Sequence, residues 1–269
     1  MQANGQSAPS KPAACDCSSK KVQDSLVARF IDKGTQKTFY NDPEWGLYCD
    51  SLIAICPNIA VAYEQKAIPY IKNGEYEKAF AQYDKMVALD PKGYTAYLAF
   101  VKCIFTKDYE GAIIDFKRAQ ELVPDSYEMD HTYPFYEGLC NLELGNYSQA
   151  EQNLKQDVRI QTGGDPKKSI HFNTLLYLGI VYYEMKDLPM AKNYLQQCLA
   201  KYPQHPDANY YLAMISRQEG REEMAGKYLR TAQEAIGKGY SINEDNMYYS
   251  YYPHQISRFE VEAAMGRKE

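Results

Sequence analysis

The sequence lacks long apolar runs and any excess of positive charge. No stretch approaches the roughly 18 apolar residues that a helix needs to cross a bilayer, so no membrane-spanning segment is predicted. Lys and Arg number 30 against 35 Asp and Glu, which gives a net charge of −5 at pH 7. Because binding to a phosphate backbone needs many positive charges, we expect no nucleic acid partner.

Residue patterns typical of catalytic or metal sites are also lacking. The four histidines lie between predicted helices or near the C-terminus, and their spacing fits neither a metal pair nor a nucleophile with its base; they are His131, His171, His205 and His254. We expect them to be capping or surface residues. The sequence therefore predicts no catalytic residue, no metal ligands and no cofactor, and it indicates that the protein is not an enzyme.

The seven cysteines leave the cellular compartment open. Cys103, Cys140 and Cys198 have apolar neighbours, as small core residues do. Cys15 or Cys17 could form a disulfide with Cys49 or Cys56, and the sequence does not decide between these pairings. No histidine or second cysteine pair lies at zinc-like spacing from Cys15 and Cys17.

The first 20 residues predict a disordered tail. They are rich in Ala, Ser, Pro and Gln and show no periodicity. They contain no apolar core of a signal peptide, but this composition is common just after a cleaved one. We therefore favour the periplasm or cell envelope, as the mature form of an exported chain, with the cytoplasm as the alternative.

A pattern of about 34 residues recurs through the middle of the chain. Five alanines mark it, separated by 33, 38, 41 and 34 residues, which indicates two insertions. A large apolar residue follows each alanine four positions later. The pairs are Ala79 with Tyr83, Ala112 with Phe116, Ala150 with Leu154, Ala191 with Leu195, and Ala225 with Leu229.

Each copy predicts a helix, a turn and a second helix. In the clearest first helix, apolar or small residues recur at i, i+3, i+4 and i+7, which is one stripe of an amphipathic helix; they are Leu175, Leu178, Gly179 and Tyr182. Glycine lies in the turn of three copies, where a left-handed backbone suits it; these are Gly74, Gly145 and Gly220. Proline ends most copies.

This pattern resembles the tetratricopeptide repeat. The family's motif, W-x2-L-G-x2-Y followed by A-x3-F and P, is matched by Leu175, Leu178, Gly179, Tyr182, Ala191, Leu195 and Pro203, with leucine in place of tryptophan. The resemblance covers about residues 60–237. It implies an all-α fold, a right-handed α-solenoid whose first helices line a concave face. Small residues in these helices predict close approach of neighbouring helices; they are Ala67, Gly138, Gly179 and Ala213.

The repeats suggest four segments along the chain. After the tail (1–20) come a degenerate helical pair (21–59), about five repeats (60–239), and a tyrosine-rich segment with a C-terminal capping helix (240–269). The insertions DSYEMDH and TGGDPKKSIH are predicted to be loops. We expect Pro253 to start the capping helix. The nearby tyrosines should pack it against the last repeat or reach the end of the groove near Tyr210 and Tyr211; they are Tyr248, Tyr249, Tyr251 and Tyr252.

The inner helices of the third to fifth repeats are apolar on nearly all sides. Their candidate groove residues are Phe135, Tyr136, Leu139, Leu176, Tyr177, Ile180, Tyr183, Tyr210, Tyr211 and Met214. Two interpretations stand: packing between repeats buries this set, or the set forms an aromatic groove for an extended or helical segment of a partner.

The Lys, Asn and Arg clamp by which some family members bind a C-terminal carboxylate is absent. The predicted function is a protein–protein interaction module whose partner is a protein or peptide. The alternative is a structural subunit of a cell-envelope or secretion assembly.

Overall fold

The structure, a computed structural model, describes residues 15–242 and 250–266. These residues contain thirteen α-helices and one two-stranded antiparallel sheet. They belong to two compact units, Met1–Pro91 and Lys92–Glu269. The all-α fold that the repeat pattern predicts is therefore confirmed.

Each unit is a series of short helices. The first contains α1 (Lys20–Val27), α2 (Pro43–Ile55), α3 (Ala60–Lys72) and α4 (Tyr76–Leu89). The second unit contains α5 (Pro91–Val101, which begins at the unit boundary), α6 (Tyr109–Leu122), α7 (Tyr133–Glu143), α8 (Tyr147–Thr162), α9 (Phe172–Glu184), α10 (Leu188–Lys201), α11 (Pro206–Gln218), α12 (Glu222–Gly237) and α13 (Arg258–Ala264). Single π-helical turns, Ala28–Asp32 and Lys102–Thr106, extend α1 and α5, and a 3-10 turn covers Thr35–Lys37.

Consecutive helices pack as pairs, α3 with α4 in the first unit and α7 with α8, α9 with α10, and α11 with α12 in the second. All five repeat alanines are fully buried, and so are the large residues that follow them. A Cβ added to Gly138 would lie 2.8 Å from Leu154 Cγ, and one added to Gly179 would lie 2.6 Å from Leu195 Cγ. The close approach predicted at these glycines is thus present, and a larger residue there would force the paired helices apart.

The turns within the pairs need a left-handed backbone. Gly74, Gly145 and Gly220 have φ of 74°, 74° and 73°. Lys107 and Lys186 take this conformation in the two remaining copies, at φ of 59° and 64°. A side chain in this region costs about 1 kcal/mol, so these two turns lack the glycine that marks the others in the sequence.

An internal proline in the first unit creates a contact between helices. Pro69 lies inside α3 and has no N–H to give to the carbonyl of Gln65, four residues earlier. The indole N–H of Trp45, from α2, donates to that carbonyl at 2.6 Å instead. The acceptor that the proline leaves without a helical donor therefore joins α2 to α3.

A disulfide joins Cys17 to Cys56 in the first unit. The side-chain amides of Gln23 and Asn58 donate to the carbonyl of Cys17 at 2.7 and 2.8 Å, and α1 begins at Lys20. The predicted disordered tail thus differs from the structure at residues 15–20, and its first 14 residues lie outside the described range. The other cysteines are free thiols, and all but Cys15 are buried.

The first insertion of the second unit forms a hairpin, and a buried hydrogen-bond cluster flanks the second. The first, predicted as a loop, contains a short hairpin of β1 (Tyr127–Glu128) and β2 (His131–Thr132). Beside the second, the buried carboxylate of Asp157 accepts hydrogen bonds from Thr132, Gln161 and Thr174 at 2.9, 2.8 and 2.7 Å. These contacts tie the start of α7 and the start of α9 to α8.

Candidate functional site

The candidate groove lies on three inner helices of the second unit, where α9 contacts both α7 and α11. Seven of the ten predicted groove residues are buried, namely Phe135, Tyr136, Leu139, Leu176, Tyr177, Ile180 and Tyr211. The other three are half-exposed, namely Tyr183, Tyr210 and Met214. The inner helices thus bring the set together, but most of its side chains have no access to solvent.

Packing between repeats accounts for part of this burial. The ring of Tyr136 stacks on Phe116 of α6 at 5.2 Å between centroids. The ring of Phe135 meets Tyr177 edge-on at 5.6 Å. These contacts agree with the first interpretation for the residues of α7.

A piece of the chain's own C-terminus contacts two of the other buried residues, Tyr177 and Tyr211. We call residues 250–257 the C-terminal segment; it is bound by side chains from α7, α9 and α11. The hydroxyl of Tyr177 donates to the carbonyl of Pro253 at 2.9 Å, and that of Tyr211 donates to the carbonyl of His254 at 3.5 Å. Burial raises the pKa of both tyrosines, so both hydroxyls keep the proton that they donate.

Two carboxylates bind amide groups of the same segment. Glu143, the last residue of α7, accepts from the backbone N–H of His254 at 2.8 Å and from its Nδ1 at 2.9 Å. Burial alone would raise the pKa of Glu143, but the hydrogen bond and charge of His254 hold it below its usual value. Asp207 of α11 accepts from the backbone N–H of Ile256 at 2.7 Å. Burial raises the pKa of Asp207 to about 7.

The C-terminal segment makes a tight turn at its centre. The N–H of Gln255 donates to the carbonyl of Tyr252 at 3.1 Å, which closes a four-residue turn. Pro253 is its second residue, and His254, at φ of 52°, is its third, the pattern of a type II turn. The side chain of Gln255 supports it by accepting from the N–H of Tyr252 at 2.8 Å and donating to the carbonyl of Ile242 at 2.9 Å.

The start of the segment is held near the end of α5. The hydroxyl of Ser250 donates to the carbonyl of Ile104 at 2.7 Å, and the ammonium of Lys107 donates to the carbonyl of Tyr251. Tyr252 is 2% exposed, whereas Tyr251 is 47% exposed. Of the four tyrosines predicted to pack here, Tyr252 is thus buried, and Tyr248 and Tyr249 lie outside the described residues.

The capping helix begins later than expected. Pro253 lies in the turn, and α13 starts at Arg258 after Ser257, which forms a capping box with Glu260. Proline was expected at the start because it suits a first helical turn, but here its fixed φ serves the turn. Val261 of α13 is fully buried, and α13 contacts α12.

The sequence reasoning missed the charged residues of the site. Glu143, Asp207 and Lys107 all bind the C-terminal segment. Glu143 and Asp207 lie at the ends of largely apolar inner helices, and this position was the signal that could have found them.

The expectation of capping or surface histidines is wrong for His131, and His205 is the N-cap residue of α11 but is buried and makes no side-chain capping hydrogen bond. His131 and His205 are only 2% and 1% exposed, and burial lowers the pKa of each to about 3, which keeps both neutral. They line a pocket of about 380 Å³ together with His171, whose Nδ1 accepts from the N–H of Asn173 at 3.2 Å and caps α9. His254 binds Glu143, as described above.

The cysteines give one cluster with metal-ligand spacing. In the part of the chain that the structure describes, Cys15, Cys17 and Cys56 form the one group of three candidate ligands. Two of these sulfurs form the disulfide, so they are not free thiolates. In the same residues, no helix combines the length and the apolar character needed to cross a membrane.

Comparison with known proteins supports the repeat assignment. A family model described as tetratricopeptide repeat matches residues 173–205, which contain the copy that matches the family's motif from Leu175 to Pro203. No curated protein sequence matches the chain significantly.

Solved structures share the fold at low sequence identity. PilW, described as a widely conserved type IV pilus biogenesis factor, is 14% identical with a TM-score of 0.63, over 81% of this chain and 96% of its own. PilF of Pseudomonas aeruginosa is 15% identical with a TM-score of 0.60, over 80% and 94%. YrrB, described as a TPR protein with an unusual peptide-binding site, is 19% identical with a TM-score of 0.50, over 70% and 92%. At these identities the likeness shows the fold alone.

Residues 173–205 match the tetratricopeptide repeat model, and the chain has the fold of tetratricopeptide repeat proteins, an all-α solenoid of helix pairs. Proteins of this class are generally scaffolds for protein interactions.

Proposed function

We propose that the second unit is a protein-interaction module that binds a segment of a partner protein in the groove formed by α7, α9 and α11. The observation that supports this most is the way these helices hold the C-terminal segment. Side chains of Tyr177, Tyr211, Glu143 and Asp207 bind its main-chain carbonyls and amides. A surface that binds main-chain atoms is suited to a peptide, because every peptide carries these groups.

The half-exposed residues Tyr183 and Tyr210 form a rim at which such a segment can enter the groove. Tyr183 and Tyr210 contact Tyr211 edge-on, with ring centroids 5.2 and 5.6 Å away. Aromatic side chains are enriched where proteins bind partners, since they bury a large area with few rotatable bonds. These two tyrosines therefore fit the edge of a binding surface.

Photo-cross-linking in the organism that makes the protein tests this proposal. A photoreactive residue replaces Tyr183 or Tyr210 on the groove rim, and Tyr228 of the outer helix α12 serves as the matched control, since it is equally half-exposed. We expect a defined adduct with one external protein from both rim positions and none from Tyr228. Adducts from all three positions, or only internal adducts from the rim, would contradict the proposal.

A second candidate is a structural subunit of a cell-envelope or secretion assembly. The Cys17–Cys56 disulfide favours it, because disulfides persist mainly in exported proteins. A permanent subunit should co-purify with its neighbours through a wide interface, and this association should survive substitution of Tyr183 and Tyr210. If instead the natively expressed protein has both cysteines reduced, by intact mass after alkylation, this candidate loses its support.

A further inference from the structure

We infer that the groove is selective for a proline-turn peptide of the pattern aromatic–Pro–x–Gln–aliphatic, and that the C-terminal segment is its competitor within the chain. This inference rests on the proposed function and adds the chemistry of the partner and a condition for its binding. An external segment gains access only by displacing residues 250–257.

The pattern follows from the contacts of the C-terminal segment. The groove binds His254 through its backbone N–H and carbonyl, which nearly every residue carries, so this position accepts several residues, and Glu143 adds a contact to the histidine ring. Two side chains are enclosed, Tyr252 at 2% and Ile256 at 9% exposure, which requires an aromatic and an aliphatic residue four positions apart. Between them, Pro253 sets the turn, and the side chain of Gln255 accepts from the N–H of Tyr252 and donates to the carbonyl of Ile242.

Charge adds a further condition on the partner. The carboxylates of Glu143 and Asp207 face the turn and the residues after it, whereas the ammonium of Lys107 lies near the start of the segment. A carboxylate at the x or aliphatic position would meet these groups at close range and be repelled. The partner segment is therefore neutral or basic after its proline.

The turn itself gives a reason why the C-terminal segment can be displaced. His254 has a backbone φ of 52°, a conformation that glycine or asparagine adopts more readily. The chain's own segment is thus not the best occupant of its groove. A partner with glycine or asparagine at this position would keep the two main-chain contacts, lose the ring contact to Glu143 and be free of this strain.

A peptide-binding experiment on the full chain tests the inference. The probe is a fluorescent peptide with the sequence of residues 250–257, SYYPHQIS, followed by anisotropy. The full chain carrying Tyr252→Ser and Ile256→Ser has a weakened C-terminal segment and an unchanged groove. We expect this variant to bind the probe at least ten-fold more tightly than the natural sequence does. Adding Tyr177→Phe should reverse much of that gain.

Two controls keep the outcome clear. A probe with alanine in place of its proline should bind the variant several-fold more weakly. Circular dichroism checks that the variant keeps its helix content. If it does not, His254→Ala takes its place with an expected gain of several-fold, because this change removes the ring contact to Glu143 and puts alanine at a positive φ.

Equal probe binding by the natural chain and a folded variant would overturn the inference. So would binding that ignores the proline or Tyr177→Phe. Either result leaves the proposed function intact if the photo-cross-links at Tyr183 and Tyr210 still identify an external protein, because those cross-links do not depend on what displaces the segment.

Discussion

The two units hold their chain ends in different ways. In the first, a covalent bond between Cys17 and Cys56 fixes the residues before α1. In the second, the C-terminal segment is held by hydrogen bonds and by the burial of Tyr252 and Ile256. Only the second arrangement can open without the breaking of a covalent bond. The first unit therefore has a fixed end, and the second has an end that can leave the surface it covers.

Deletion of the C-terminal segment, which is held without a covalent bond, has the largest expected effect on the free energy of unfolding. Deleting residues 241–269 exposes the groove and removes four side chains that are buried and apolar among the described residues, Ile242, Tyr252, Ile256 and Val261. Burial of each contributes about 1.5–3 kcal/mol, so we expect a loss of about 6 kcal/mol or more and a melting temperature lower by several degrees or more. Calorimetry measures the loss, and hydrogen exchange should rise in α9 while α3 is unchanged. An unchanged melting temperature would show that the segment does not stabilise the second unit.

Removal of the Cys17–Cys56 disulfide should destabilise the first unit instead. The disulfide closes a loop of 39 residues, and the loop-entropy model gives a stabilisation of about 4 kcal/mol for this length. Cys17→Ser should therefore destabilise the first unit by about that amount and leave exchange in α7, α9 and α11 unaltered. Cys15→Ser is the matched control, because Cys15 is a free thiol. Equal effects of the two changes would contradict the role given to the disulfide.

The stability of the second unit, whose C-terminal segment binds Asp207, should also depend on pH. Its folded pKa is raised to about 7 from 3.8 by burial. A raised carboxyl pKa means that its contribution to stability is complete below about pH 4 and is lost as the pH rises through about 7.

Asp207→Asn keeps an acceptor for Ile256 but cannot ionise. Relative to this variant, the natural chain should lose roughly 2–3 kcal/mol between pH 5 and pH 8. His131 and His205 have lowered pKa values and act in the opposite sense below pH 6.5. His131 is common to both chains, but His205 Nδ1 lies 3.6 Å from Asp207 Oδ2, so His205 contributes to the measured difference together with Asp207. Urea unfolding of both chains at the two pH values measures the difference; parallel pH profiles would contradict it.

The smallest expected loss of stability comes from removing a single hydrogen bond, and two similar bonds allow a comparison. Tyr177 donates to Pro253 and Tyr63 donates to Pro57, both at 2.9 Å. Each Tyr→Phe change should cost about 1 kcal/mol. Only Tyr177→Phe should speed hydrogen exchange at the amide of Ile256, since only this change loosens the C-terminal segment. Faster exchange there in Tyr63→Phe would mean that the two ends are not independent.

The repeats were predictable because their signals are local. The alanines and the large residues after them are four positions apart on one helix, and all are buried as expected. Glycine marked three turns, and the copies with Lys107 and Lys186 were recognised from the flanking helices despite their strained backbone. Packing of one repeat on the next follows from the same pattern.

The covered state of the groove was not predictable in this way. Tyr177 and Pro253 are 76 positions apart, and no periodicity relates them. The apolar inner faces gave two interpretations because burial by neighbouring helices and burial by a bound segment require the same residues. The tyrosine run indicated packing near Tyr210 and Tyr211, but the C-terminal segment also reaches Glu143 of α7 and Ile104. Asp207 was missed because a single acidic residue at the start of a helix is common.

The position of the C-terminal segment in the sequence also means that the groove helices are synthesised before the segment that covers them. The groove helices are complete once Gln218 has been made, and Ser250 follows 32 residues later. At synthesis rates of about 5–20 residues per second, this interval lasts roughly 2–6 seconds. During it the ribosome-bound chain has made its inner helices but not their cover. A partner present at the ribosome would meet an open surface that the finished protein keeps closed.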